Sequence, residues 1–124
     1  MSSDRDARDA LQAQLSALSV QFLDRTRGQV GQLELLVERV GRGELPALLE
    51  LRAISHKIHG SGAMFGFPDI SEPAGVIERA SDELLARDAK LKHPAGPGTE
   101  FLTVVTAAVG RLAREVEKAR NGTK

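Results

Sequence analysis

At 124 residues the chain has room for one ordinary domain and not for two. Its 41% apolar and 27% charged residues read as folded and globular, and a formal charge of zero gives no general pull toward nucleic acid or an anionic membrane. No apolar run is long enough to span a bilayer, the polar start MSSDRDARDA does not read as a signal peptide, and the lack of cysteine excludes disulfides, thiol catalysis and thiolate metal sites. A cytoplasmic location is the simplest expectation. Four Phe with no Tyr or Trp argue against a base-stacking surface and for a core of Leu, Val, Ile and Ala.

In chain order, the dominant period is helical. Leu11, Leu15, Leu18 and Phe22 step by three and four, and so do Val30, Leu33, Val37 and Val40. Gly28 and Gly31 weaken the middle, so this region reads as two helices or one long bent one. In GRGELP, Gly41 and Gly43 suit a helix end and Pro46 the first turn of the next helix. A helix from about Leu45 carries Leu51, Ile54, Ile58 and Phe65 on one side and is expected to loosen between Gly62 and Gly66. Pro68 opens another helix, with Ile70, Ala74, Ile77, Ser81 and Leu84 as its inner stripe. Pro73 is tolerable only near a first turn, so an irregular or later start is expected.

The stretch KLKHPAGPGTE is the clearest loop. The last helix shows Phe101, Val104, Val105, Ala108, Leu112 and Val116, and is expected to fray in ARNGTK. Four or five helices with short connections make an antiparallel four-helix bundle the natural way to bury these stripes. One domain over 1–124 is expected, with a core from about 8 to 120 and frayed ends; Met1 and the length suggest a free-standing chain.

The stretch HKIHGSGAMFGF carries the chemistry. On a helical wheel at about 100° per residue, Ala47, Leu51, Ile54, Ile58, Ser61 and Phe65 fall within roughly 40° of the side opposite His56. His56 therefore points to solvent. Ala53, Gly60 and Ala63 keep the surface around it low, and Leu49 lies nearly in line with it as an exposed apolar contact. A helical glycine costs about 1 kcal/mol relative to alanine, so an outward Gly60 suggests close approach by another body. Arg52, Lys57 and His59 edge the region with actual or potential positive charge. The bland alternative is an idle surface histidine beside a tolerated glycine. Ser61, on the core side, reads as packing rather than as a nucleophile.

His56-Lys57-Ile58-His59-Gly60-Ser61-Gly62-Ala63-Met64-Phe65-Gly66, followed by FPDISEPAGVIE, resembles the histidine-containing phosphotransfer (Hpt) domain. The motif spans about two dozen residues, and the helix order is similar over nearly the whole chain. The resemblance implies an all-α, up-and-down four-helix bundle with an additional N-terminal helix. It implies a phosphorelay carrier rather than an enzyme, with His56 as phosphoacceptor and Gly60 as the clearance residue. The partners it implies are response-regulator receiver domains and a hybrid or sensor histidine kinase. It implies no cofactor on this chain, Mg²⁺ on the receiver, and a monomer.

One departure is His59, where the family usually has lysine; Lys57 and Arg52 are candidates to share that charge. Glu78, on the next helix, is a candidate acceptor for the His56 Nδ1–H, leaving Nε2 free to attack, or else an ordinary solvated glutamate. Two other readings stand beside the carrier. His56 and His59 at i, i+3 could begin a metal site, but His93 is in the distant loop and Asp69 and Glu72 would have to fold back, so no metal is expected. A helical module that binds receiver or kinase domains without phosphorylation is compatible with exposed Leu49 and with His59.

Overall fold

The computed structural model describes residues 2–90 and 98–122. They form four helices: α1 (Ser2–Gly41), α2 (Leu45–Met64), α3 (Pro68–Lys90) and α4 (Thr99–Gly122). Each packs on its two neighbours in the cyclic order α1, α2, α3, α4, and among the described residues no diagonal pair brings its backbones close together. Partners run in opposite directions. On α1 and α4, Asp24 meets Arg120 and Arg27 meets Glu117, while Gly41 lies against Leu102. On α2 and α3, Arg52 meets Asp82 and Gly62 lies against Ser71.

Two glycines make the short turns. Gly43 (φ +86°) follows the end of α1 and Gly66 (φ +81°) the end of α2. In each turn two backbone N–H groups fold back onto the last carbonyls of the helix. Glu44 and Gly43 donate to Arg39 and Val40, and Phe67 and Gly66 donate to Gly62 and Ala63. This closure needs a left-handed residue, which glycine adopts without a Cβ clash. The expected loosening of α2 from Gly62 is thus a tight ending confined to Phe65, Gly66 and Phe67. In that turn Phe65 and Phe67 both pack on Phe22 of α1, at ring distances of 5.4 and 5.8 Å.

The expected additional N-terminal helix is continuous with the first bundle helix, so α1 runs 40 residues without a break. Gly28 and Gly31 do not interrupt it, because Val30 and Leu33 between and beyond them are buried against the bundle. Leu11, Leu15 and Leu18 are exposed, and the buried layer begins at Phe22 rather than near residue 8. Further along, Val30, Leu33 and Val40 are buried as the spacing predicts, with Val37 packed at the margin.

All five inner positions expected on α3 are buried. Pro73 also lies inside that helix, buried, without delaying its start. The ring removes the donor that would reach the Asp69 carbonyl, and Asp69 lies at the exposed first turn where water can serve instead. On α4, Val105, Ala108, Leu112 and Val116 are buried, Phe101 packs at the edge of the core, and Val104 is exposed. α4 is helical through Gly122, past the expected fraying point. Of the loop expected in KLKHPAGPGTE, residues 91–97, His93 included, lie outside the described residues. Three buried hydroxyls are satisfied within their own helices: Thr26, Ser55 and Ser81 donate to the carbonyls of Phe22, Leu51 and Ile77.

Candidate functional site

α2 buries Ala47, Leu48, Leu51, Ser55, Ile58 and Gly62, and this stripe turns His56 outward. Its imidazole is 61% exposed. On one flank of His56 the surface is low: Ala53, Gly60 and Ala63 are exposed, and a Cβ on Gly60 would meet nothing within 4 Å. Leu49 is exposed as the wheel predicts, and so is Met64, at the end of the helix, which the wheel did not single out. Ser61 is half-buried.

The other flank of His56 faces α3. Glu78, only 13% exposed, reaches both histidines: Nδ1 of His56 lies 2.6 Å from Oε2, and Nδ1 of His59 lies 2.8 Å from Oε1. Burial pushes the Glu78 carboxyl up, but hydrogen bonds from His59 and His56, with their charges, outweigh it and hold the carboxyl below its ordinary range. An ionised carboxylate only accepts, so both Nδ1 atoms carry protons. In the neutral ring the Nε2 of His56 therefore has the lone pair, and among the described residues no hydrogen bond engages it.

The remaining candidates separate. Arg52 is held by Asp82 at 2.6 Å, and this hydrogen bond and ion pair raise its guanidinium above its usual value. Its positive charge is therefore directed to α3 rather than to His56. Lys57 is exposed beside His56 and makes no ion pair among the described residues. Neither Asp69 nor Glu72 joins the histidines, and Glu72 pairs instead with Arg111 of α4. Among the described residues no group of three or more His, Asp or Glu is arranged to hold a metal ion.

Several contributors to the site escape a single-helix reading. Gly62 meets the backbone of Ser71 so closely that a Cβ would lie 3.1 Å from its nitrogen. Ser71 Oγ donates to the His59 carbonyl at 2.7 Å. A Cβ on Gly75 would lie 3.2 Å from both His59 Nε2 and Arg79 Nη1. The signal in the sequence was the Ser71, Gly75, Glu78 spacing, which sets small and polar residues along one stripe of α3 facing α2.

The site thus sets an exposed histidine on the second helix of a four-helix bundle, with its ring held by the third. The family model for the Hpt domain matches residues 17–122 of the chain. The chain belongs to the Hpt domain family. Hpt domains are helical phosphocarrier modules of two-component phosphorelays rather than enzymes, and they work with receiver domains and kinases. Neither the comparison with curated proteins nor that with solved structures found a match. No helix among the described residues is long and apolar enough to cross a membrane. The family match begins at residue 17, which leaves most of the exposed N-terminal half of α1 outside the Hpt domain proper.

Proposed function

We propose that this Hpt domain carries a phosphoryl group on Nε2 of His56 between the aspartates of receiver domains. The observation that carries the reading is the exposed imidazole whose Nδ1–H is taken by Glu78. His59 is the weaker acceptor candidate, because its Nε2 lies over the backbone of Gly75.

The transfer needs no proton relay. The Nε2 lone pair attacks phosphorus of the receiver's phosphoaspartate, the N–P bond forms, the P–O bond breaks, and the electron pair leaves with the aspartate carboxylate. The product ring is a phospho-imidazolium whose Nδ1–H remains on Glu78, and the carboxylate stabilises the new positive charge. Transfer onward is the reverse, with neutral imidazole as the leaving group. The receiver supplies Mg²⁺ and the in-line geometry. A sensor or hybrid kinase loads the first receiver of the chain. Ala53, Gly60 and Ala63 admit the receiver's active-site rim, Leu49 gives it an apolar contact, and the exposed Lys57 offers a positive charge for phosphoryl oxygens.

The test mixes the protein with a panel of phosphorylated receiver domains and Mg²⁺, beside His56→Gln. The reading expects an acid-labile, base-stable phosphoryl group on the wild type and none on the variant. Receiver binding that is equal for both proteins, with no transfer to either, would overturn it and point to a binding module.

A further inference from the structure

We infer that His59 is a positioning residue for His56: seated on the bare backbone of Gly75, it fixes the Glu78 carboxylate so that His56 keeps its proton on Nδ1 and presents Nε2. The functional consequence rests on His56 being the phosphoacceptor. The positioning itself rests on geometry alone.

Three contacts from one stripe of α3 hold His59. Ser71 Oγ donates to its carbonyl at 2.7 Å, and Glu78 Oε1 takes its Nδ1–H at 2.8 Å. Between those two, its ring edge lies over Gly75, where a Cβ would come within 3.2 Å of Nε2 and 3.3 Å of Cε1. Ser71, Gly75 and Glu78 follow at four and three residues, so they share one face of α3. The close approach of Gly62 to Ser71 sets the two helices near enough for all three contacts.

The consequence lies in the last torsion of Glu78. The terminal torsion of a glutamate is soft, so a carboxylate held at one oxygen alone can swing. Here each oxygen has its own imidazole donor. The bond from His59 stops the swing and leaves Oε2 in place for His56. Because His56 is largely exposed, water competes for its Nδ1–H, and a fixed acceptor outcompetes water better than a mobile one. His59 thus acts through the anion that aligns His56, a role distinct from that of a cation facing the phosphoryl group.

The test uses the full chain, with His59→Leu to remove the donor and His59→Asn to return an N–H near the Nδ1 position. Ring nitrogen NMR at pH 8 reports the His56 tautomer directly. The wild type and His59→Asn are expected to show one His56 form, protonated on Nδ1, and His59→Leu a mixture of forms. Phosphoryl uptake by His59→Leu is expected to slow about tenfold, with recovery in His59→Asn. An unchanged single His56 tautomer in His59→Leu would overturn the inference. If the wild type accepts phosphate and the tautomer does not move, the positioning role falls and the carrier reading stands. If the tautomer moves and no receiver phosphorylates the wild type, the carrier reading falls and the positioning role stands.

Discussion

Nδ1 of His56 and Oε2 of Glu78 lie 2.6 Å apart across the α2–α3 interface, joining residues 22 positions apart in sequence. In the transfer proposed above, this bond decides which ring nitrogen of His56 would be the nucleophile. Glu78→Gln keeps the size and one acceptor but loses the charge and the second oxygen. We expect it to remain folded and to take up phosphate about 10- to 100-fold more slowly, because the phospho-imidazolium loses its counter-charge. Single-turnover transfer from a phosphorylated receiver checks this. Uptake at the wild-type rate would show that Glu78 has no part in the transfer.

Acid should weaken the network in a defined direction. The carboxyl of Glu78 is lowered in the fold, so its contribution to stability is present above the unfolded-chain value of about 4.3 and is lost as pH falls through the lower folded value. Melting curves of wild type and Glu78→Gln should therefore differ at pH 5 and converge as pH falls from about 4.3 through the lower folded value. A gap that widens over that range would contradict the assignment.

Two glycines of α2, two residues apart, should respond oppositely to a methyl group. Gly60 has open space where its Cβ would be, so Gly60→Ala should raise stability by about 0.5–1 kcal/mol through helix propensity. The longer Gly60→Gln should stay folded yet slow transfer by obstructing the approach to His56. Gly62 has the backbone of Ser71 within 3.1 Å of that position, so Gly62→Ala should cost about 1–3 kcal/mol by forcing α2 and α3 apart. Denaturant unfolding of the variants, with transfer rates for the Gly60 pair, separates clearance from packing.

The first sixteen residues should be dispensable for the bundle. Leu11 and Leu15 are exposed, and among the described side chains of α1 the first buried one is Phe22. Deleting residues 1–16 should leave the melting temperature of the remainder within a few degrees. A large drop would mean that the exposed leucines are covered in solution.

The sequence disclosed those features that a single helix determines. The stripe from Ile70 to Leu84 and the outward aim of His56 follow from a 3.6-residue period alone, and both are found. Helix continuity was harder to read. Gly28 and Gly31 weaken α1 locally, but burial of Val30 and Leu33 outweighs that propensity cost, and propensity alone cannot weigh tertiary contact. The same limit hid the second half of the site. Ser71 and Gly75 matter because α2 sets His59 opposite them, and that requires the close crossing at Gly62. Asp82 likewise pairs with Arg52, which the sequence offered only as a positive charge at the edge of the His56 surface.

The most direct test of the central claim is to locate the phosphorus atom. The protein, labelled with ¹⁵N in its histidine rings, would be phosphorylated by a receiver domain and studied by phosphorus–nitrogen correlation NMR. The expected result is a single phosphoramidate on Nε2 of His56, with Nδ1 still protonated. Phosphorus on His59, or on Nδ1 of His56, would contradict it.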